Sequence, residues 1–378
     1  MQRKLTVAGP ALAAMMVLSG PVQADEVIIG EQYPLSGPMA AFSGPFLKQG
    51  AEMAVERINK EQMLGPDRTL KLIIEDNAGD RNQAISLMSK FASTPGVMAI
   101  HGVYGSFLSL PAAPVANDLK IPYLATAVST QIAAAGPWSF TQLPPALVSM
   151  NTLGEFAINK HHIKKVAAIF DRSNDASVQL KDAFLKYVSE RGATVVAQDS
   201  ITAQETNFGP IATKAANLDI DALFVEAVPS VVANLVIQLR QAGLDPKIKI
   251  YSSGQVSSPT FIKTAGAAAE GLYASVDYMA DDPNPENKIF VENYRKLYKD
   301  NPDQNASWGY AGVMILAAAI KNAEPGVDRA KLRDALAALR DVPVVSGSGK
   351  FSFDENRVAF YPSVVVQFRG DKFVQADD

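Results

Sequence analysis

The chain has 378 residues, of which 48% are hydrophobic and 20% charged, and its formal net charge is −4. This length and apolar content suit a globular protein of two or more domains and exclude a disordered or collagen-like chain. The sequence has no Cys and three His, which excludes disulfide frameworks, cysteine nucleophiles and iron–sulfur clusters and disfavours metal sites. We therefore expect no metal or cofactor, and the acidic balance indicates no nucleic-acid partner.

Residues 1–24 have the pattern of an export signal. Arg3 and Lys4 precede an apolar stretch at 5–18, and Val22 and Ala24 supply the small residues of a cleavage site. This arrangement predicts a secretory signal peptide cleaved after Ala24, with an apolar core too short to span a membrane. We expect a mature protein in the periplasm that is not inserted into the membrane.

The mature chain begins with β-branched runs that alternate with segments of helical spacing. Strands are predicted at 27–29, 70–75, 97–102 and 123–124, with helices at 46–60, 82–92 and 108–118. The alternation starts again further along, with strands at 166–170, 194–197, 222–225 and 247–252 and helices at 178–190 and 231–242. Strands separated by helices indicate βαβ units, so the two runs predict two doubly wound α/β lobes with parallel sheets.

The last part of the chain is first helical and then β-rich. Helices are predicted at 287–298, 308–321 and 329–339, followed by β-rich sequence at 350–353 and 363–368. Helices that arrive after the second lobe must still cover a sheet, which indicates that the chain crosses back to the first lobe. We expect crossings near 147, 277 and 347, so that 25–146 plus 277–346 form the first lobe and 147–276 plus 347–378 the second. Such a three-crossover hinge suits clamshell closure, and the alternative is two continuous domains in series.

Three loops follow strands of the first lobe, at 33–38 with Phe42 shortly after, at 102–106 and at 125–130. In an open parallel sheet, the carboxyl ends of the strands form the ligand crevice. Hydroxyl side chains and backbone N–H groups at the start of a helix suit an anion, above all a carboxylate. Each loop alone is typical of ordinary turns and helix caps, and only their joint position indicates a binding site.

Six short motifs occur in order along the chain: Pro34-Leu-Ser-Gly-Pro38, Glu75-Asp76-Asn77, Pro111-Ala-Ala-Pro-Val115, Ile121-Pro122, Ala269-Glu-Gly-Leu272 and Gly349-Lys-Phe-Ser-Phe-Asp354. With these motifs the sequence resembles the periplasmic leucine/isoleucine/valine-binding proteins, which are type I solute-binding proteins of ATP-driven uptake systems. The resemblance covers essentially the whole mature chain. It implies two Rossmann-like lobes joined by three crossovers.

The resemblance also implies roles for residues of the first lobe. Ser106 matches the hydroxyl that binds the ligand carboxylate in this family. Ala127 and Ser129 match its partners in the next loop, where Ser129 stands in place of the usual Thr. Phe42 matches an aromatic residue that lines the cleft.

The second lobe departs from the family pattern. Gly254, beside Gln255, occupies the position of an acid that helps to hold the ammonium of an amino acid. Val228 and Asp175 replace two cleft tyrosines. A desolvated ammonium left without an anion costs several kcal/mol, so the loss of this acid bears directly on the ligand.

Two interpretations of this departure stay open. The ligand lacks an ammonium, in which case Val228, Phe42 and Phe107 face a bulkier apolar body such as an aromatic or branched acid. Otherwise another acid supplies the charge, Asp175 from a different loop or the more remote Asp277. Asp175 equally suits the N-cap of the helix that follows it.

The resemblance implies a non-enzymatic, monomeric protein that captures a small carboxylate, such as an amino acid or an aromatic or branched acid. It would deliver this ligand to the membrane permease of an ABC transporter with its ATPases. The alternative is a periplasmic ligand-sensing module of the amide or amino-acid sensor type, without transport. An exported hydrolase is disfavoured because the sequence shows no nucleophile–base pair.

Overall fold

A computed structural model describes residues 25–347, 349–361 and 363–376. The predicted signal peptide and its cleavage site lie outside the described residues. Within the described ranges, no helix combines the length and apolar character that crossing a membrane requires.

The order of the elements follows the predicted alternation of strands and helices. The strands are β1 (Asp25–Tyr33), β2 (Arg68–Asp76), β3 (Val97–Gly102), β4 (Tyr123–Ala125), β5 (Ser139–Thr141), β6 (Lys165–Asp171), β7 (Thr194–Ile201), β8 (Ala222–Glu226), β9 (Lys249–Ser253), β10 (Tyr273–Val276), β11 (Val342–Pro343), β12 (Lys350–Phe353), β13 (Ala359–Phe360), β14 (Val364–Arg369) and β15 (Lys372–Gln375). The helices are α1 (Gly44–Lys60), α2 (Arg81–Ser93), α3 (Ser106–Asp118), α4 (Gln131–Ala134), α5 (Ala146–Asn159), α6 (Asp175–Ser189), α7 (Gly209–Ala216), α8 (Pro229–Gln241), α9 (Pro259–Ala265), α10 (Pro285–Tyr298), α11 (Gln304–Asn322) and α12 (Arg329–Ala337).

Two open sheets repeat the same topology. The sheet of the first lobe has the order β2-β1-β3-β4-β5 with all neighbours parallel. The sheet of the second lobe has the order β7-β6-β8-β9-β10-β14-β15, in which only β14 and β15 run antiparallel to their neighbours. In each sheet the strand order reverses beside the first strand of the lobe, between β1 and β3 and between β6 and β8, where such folds bind ligands. The predicted fold of two doubly wound lobes is confirmed.

The helices that follow the second lobe pack back on the first. Helix α11 lies against α1, and their apolar side chains share one core with β1 and with residues of α10 and α12. The two backbones touch, because a Cβ atom on Gly309 would collide with the carbonyl oxygen of Leu47 and one on Gly50 with that of Ala306. The chain therefore has to leave the first lobe, build the second and return, which makes the lobes discontinuous.

The last crossing lies later than the sequence predicts. Strands β11, β12 and β13 form a small sheet of their own, and Val358 bridges Thr141 at the edge of the first sheet. Phe353 packs on Phe140 with their ring centroids 5.3 Å apart. The chain thus stays with the first lobe through residue 361 and joins the second sheet at β14, rather than crossing near 347. The reason is that the aromatic side chains of β12 pack into the core of the first lobe. Strand propensity alone does not predict which lobe a strand will join.

Candidate ligand-binding cleft

A cavity of about 420 Å³ lies between the two lobes, at the carboxyl ends of the parallel strands. The first lobe lines it with residues that follow β1, β3 and β4, and the second lobe with residues that follow β6, β8 and β9. Its volume lies in the range of small-molecule sites. The cleft joins the topological switch points of both sheets, which is where the doubly wound fold brings loops together.

Most of the predicted site residues come together around this cavity. The lining includes Phe42, Ser106, Phe107, Ala127, Val228, Gly254 and Gln255. Ser129 and Asp175 are not part of it. The structure therefore joins residues of both lobes that are far apart in the sequence, while it places two of the predicted contacts elsewhere.

Ser106 is the first residue of α3 and lies in the cleft wall. Gly105 precedes it with φ of 89°, a left-handed conformation that glycine adopts without strain and that turns the chain sharply into the helix. The Ser106 Oγ is buried and has no hydrogen-bond partner. The N–H groups of the first helical turn and the helix dipole favour a negative charge at this point. The local chemistry suits a carboxylate.

A buried polar network supports the first-lobe wall from behind. The His101 Nδ1 lies 2.8 Å from Glu31 Oε2, and its Nε2 lies 2.8 Å from Gln142 Oε1. Burial lowers the pKa of His101, Glu31 and Gln142 raise it, and the net direction is upward. Thr126, which lines the cleft, donates to Gln142 Oε1 at 3.2 Å. His101 is therefore a buried core residue with a partner at each ring nitrogen.

A row of aromatic rings forms the apolar wall of the cleft. The ring centroids of Phe42 and Tyr104 are 6.5 Å apart, and those of Tyr104 and Trp308 are 6.2 Å apart. All three residues line the cavity. Phe42 was predicted from the sequence. Tyr104 was not, although it lies in the loop at 102–106, and neither was Trp308, which α11 brings to this wall.

The second lobe contributes acids that the sequence analysis missed. Asp171 ends β6 and lines the cleft, and its Oδ1 accepts from the Ser173 N–H at 2.8 Å. Glu226 ends β8 and is buried behind Ser253, whose backbone N–H and hydroxyl both donate to it at 3.0 Å. Burial raises the pKa of Glu226 to about 7, although the hydrogen bonds from Ser253 and Ser252 act in the opposite direction. Their position in the sequence could have indicated them, since each acid stands at the carboxyl end of a predicted strand.

The hinge brings a second acid to the lining of the cleft. Asp277 directly follows β10, and its Oδ2 accepts from the Trp308 indole N–H at 2.9 Å and from the Tyr361 hydroxyl at 2.7 Å. Asp277 lines the cavity together with Gln304 and Ser275, and its Oδ1 is buried with no partner in another residue. Asp277 thus connects two of the chain segments that cross between the lobes.

Ser129 and Asp175 contact the opposite lobe rather than the cavity. The Ser129 hydroxyl accepts from the Gln179 Nε2 at 3.4 Å, between the first lobe and α6. Asp175 is half exposed at the rim of the cleft, with its Oδ2 at 3.8 Å from Arg81 Nη2. The N-cap of α6 is Asn174, which accepts from the Ala176 N–H, so Asp175 is not the cap. The predicted ligand contacts of Ser129 and Asp175 stay predictions, since neither residue lines the cavity and each contacts a side chain of the opposite lobe.

Two discontinuous doubly wound lobes that enclose a ligand-sized cleft define a clamshell binding protein. The sequence model of the family described as periplasmic binding protein matches residues 26–372, so the chain belongs to that family, of the leucine/isoleucine/valine-binding type. Among curated proteins, it is 26% identical over 367 residues to Leu/Ile/Val-binding protein homolog 7 of Brucella suis, covering 92% of this chain and 89% of that one. It is 24% identical to the leucine-, isoleucine-, valine-, threonine- and alanine-binding protein of Pseudomonas aeruginosa, covering 91% of each.

Solved structures show the same fold. A leucine-binding protein from Thermotoga maritima superposes with a TM-score of 0.85 at 24% identity, covering 93% of this chain and 98% of that one. A branched-chain amino acid transporter substrate-binding protein from Streptococcus pneumoniae, in complex with isoleucine, superposes with a TM-score of 0.83 at 21% identity. It covers 93% of this chain and 100% of that one. The predicted family is confirmed.

Proposed function

We propose that this protein is the extracytoplasmic solute-binding component of an ABC-type uptake system and that it captures a small carboxylate between its lobes. The observation that carries the proposal is the buried, unpartnered Ser106 hydroxyl at the start of α3, on the wall of the cleft. A buried hydroxyl without a partner costs free energy that a ligand oxygen would recover. Ala127 in the neighbouring loop would complete this cradle with its backbone.

The charge of the cleft supports binding of the ligand carboxylate by hydroxyl and amide groups rather than by an ion pair. The described lining residues include no Lys, Arg or His. A carboxylate here would therefore be stabilised by the Ser106 hydroxyl and the helix terminus, which act as fixed dipoles without a counter-ion.

The rest of the lining supports an apolar ligand body. Phe42, Tyr104 and Trp308 form one side, and Val228 lies in the same cavity on the second lobe. Relatives whose names specify leucine, isoleucine and valine are consistent with a branched body, and the aromatic row also suits an aromatic acid. We include both classes in the proposal.

Closure of the lobes would make the bound state recognisable. Contacts such as the hydrogen bond from Thr260 Oγ1 to the Ala41 carbonyl, at 2.5 Å, join the lobes only when the cleft is narrow. A ligand that contacts both lobes increases the population of this closed conformation. The membrane permease and its ATPases would recognise that conformation. We expect the protein to act as a monomer in this cycle.

Isothermal titration with leucine, isoleucine, valine, benzoate and phenylacetate tests the proposal. We expect at least one of these acids to bind and its methyl ester to bind more weakly, because the ester removes the negative charge. Ser106→Ala should weaken binding by about tenfold to a hundredfold, the loss of one hydrogen bond to a charged group. Ser86→Ala, on the exposed face of α2, is the matched control and should leave affinity unchanged. Failure of every carboxylate, with binding of a sugar or an inorganic cation instead, would contradict the proposal.

A further inference from the structure

The side-chain amide of Gln142 has one possible orientation behind the first-lobe wall. Its Nε2 donates to the Trp308 carbonyl oxygen at 2.7 Å, and its Oε1 accepts from the Thr126 hydroxyl at 3.2 Å. Because a carbonyl oxygen can only accept, the amide nitrogen has to face Trp308 and the amide oxygen has to face His101. The His101 Nε2 lies 2.8 Å from that oxygen, so it carries a proton.

The other ring nitrogen of His101 also requires a proton. Its Nδ1 lies 2.8 Å and 3.0 Å from the two carboxylate oxygens of Glu31, and the Tyr33 hydroxyl donates to the same carboxylate. An ionised carboxylate can only accept, and this second donor favours placing the proton on Nδ1. With one proton fewer, a ring lone pair would face either the carboxylate or the Gln142 oxygen. The geometry therefore requires an imidazolium.

The ring of His101 is fully buried and enclosed by other elements. A Cβ atom on Gly312 of α11 would lie 2.0 Å from its Nε2, so the backbone of that helix packs directly on the ring. Glu31 and Tyr33 of β1 are the titratable groups in contact with it, and Glu31 is its counter-ion. The neighbouring helices place charges further away, which are Glu52 on α1, acting on Tyr33, and Arg329 on α12, donating to the Val97 carbonyl. Burial lowers the pKa of His101, Glu31 and Gln142 raise it, and the net direction is upward.

This network is attached to both parts of the cleft wall. Thr126 and Trp308, which Gln142 holds, both line the cavity. The Thr126 carbonyl oxygen accepts from the Gly105 N–H at 3.0 Å, directly before Ser106. The orientation of Gln142 therefore affects the start of α3 as well as the apolar wall.

We propose that His101 is a positioning residue of the ligand site, through a proton that it shares with Glu31. That proton holds Gln142 in the orientation that fixes Thr126 and Trp308 in the cleft wall. This inference rests on the proposed function, in which the start of α3 binds a ligand carboxylate. Loss of the proton breaks the hydrogen bond to Glu31 or the one to Gln142. Ligand affinity therefore falls as the pH rises through the His101 pKa of the ligand-free protein.

Glu31→Gln removes the need for this proton while it keeps the hydrogen bonds. The new amide oxygen can accept from the Tyr33 hydroxyl, and the new amide nitrogen can donate to His101 Nδ1. A neutral His101 with its proton on Nε2 then satisfies every partner. Binding by this variant should depend less on pH than binding by the wild type.

Isothermal titration at about pH 7 and about pH 10 tests the positioning role, with the tightest-binding acid of the five named above. We take the ratio of the wild-type Kd to the Glu31→Gln Kd, which cancels the titration of the ligand itself. This ratio should rise by at least about tenfold between the two pH values. The same ratio for Glu56→Gln, at an exposed acid of α1, should stay constant. A Glu31→Gln ratio constant within about threefold would overturn the inference, and thermal unfolding at both pH values shows that the variants are folded.

The protonation of His101 can be read in the wild type without any variant. The chain has three histidines, which ¹⁵N-histidine labelling resolves by NMR. At about pH 8 we expect both ring nitrogens of His101 to carry a proton, although an ordinary histidine is neutral there. Burial lowers the pKa of His161 to about 4, so its ring gives the neutral reference in the same spectrum. A His101 ring with one bare nitrogen would overturn the inference.

Failure of this inference differs from failure of the proposed function. If an acid binds and the Kd ratio does not change with pH, the carboxylate proposal stands and the positioning role of His101 is wrong. If a sugar or an inorganic cation binds instead of the acids, the carboxylate proposal fails. The Kd ratio measured with that ligand then still decides the role of His101.

Discussion

Arg81 in the first lobe and Asp175 in the second face each other across the rim of the cleft, with Arg81 Nη2 at 3.8 Å from Asp175 Oδ2. About half of each side chain remains exposed, and the Arg81 guanidinium lies 5.8 Å from the ring centroid of Phe107. An exposed pair at this distance contributes little by itself. Because the two residues belong to different lobes, we expect this pair to act on the balance between open and closed forms.

We expect Asp175→Asn to weaken ligand affinity by less than about threefold, and this loss to disappear at about 0.5 M salt, because exposed charges are screened. Titration at two salt concentrations measures both. Asp182→Asn, another exposed acid of α6 that pairs within its own lobe with Lys181, is the control and should have no effect. A salt-independent loss of more than about tenfold would instead indicate that Asp175 contacts the ligand.

Gly254 should tolerate no side chain in the closed cleft. We expect Gly254→Ala to lower ligand affinity by about tenfold, since the added methyl group meets the Ser275 carbonyl and Gln304, and overpacking costs about 1–3 kcal/mol. Gly209→Ala is the matched control, because only the Asn207 side chain lies near that position. Calorimetric titration of both variants measures the effect. Unchanged affinity in Gly254→Ala would show that the Ser275 carbonyl and Gln304 move aside at no cost in binding free energy.

Glu226 should make the protein less stable as the pH rises from about 4.5 to about 7. Burial raises its pKa from 4.5 to about 7, so within this window the folded state still holds a proton that the unfolded state has released. The free energy of unfolding therefore falls as the pH rises through this window. Above about pH 7, Glu226 causes no further change. Glu226→Gln should be more stable than the wild type at pH 8 by about 1–3 kcal/mol, with a shallower pH dependence.

Urea unfolding between pH 4.5 and 8 measures this effect. Asp303, whose pKa burial raises to about 6, has the same sign and keeps part of the slope in the Glu226→Gln variant. The exposed Glu56→Gln serves as control and should follow the wild type. If Glu226→Gln is instead less stable than the wild type at pH 8, then ionisation of Glu226 does not destabilise the folded state.

The contact between α1 and α11 should be intolerant of any side chain on its glycines. We expect Gly309→Ala to lower the free energy of unfolding by about 3 kcal/mol, because the new methyl group collides with the Leu47 carbonyl and forces two helices apart. Chemical denaturation gives the value, with Gly209→Ala as the reference for the same substitution in an open position. A loss below about 1 kcal/mol would contradict the direct backbone contact between these helices.

The amino-acid sequence by itself determined the class of the fold. Alternating β-branched and helical segments are properties of residues close together in the chain, and they predicted both doubly wound lobes and the return to the first lobe. The loop that ends at Ser106 was recognisable for the same reason, since a glycine-containing turn between a strand and a helix is a local signal.

Only the tertiary structure decided which acids face the cleft and which loops face each other. Asp277 reaches the cavity through Trp308 and Tyr361, which lie 31 and 84 residues further along the chain. Asp175 and Ser129 contact side chains of the opposite lobe, and the last crossing is set by aromatic packing on Phe140. These outcomes depend on contacts between distant segments, whose energies are comparable for several arrangements until the whole core is assembled.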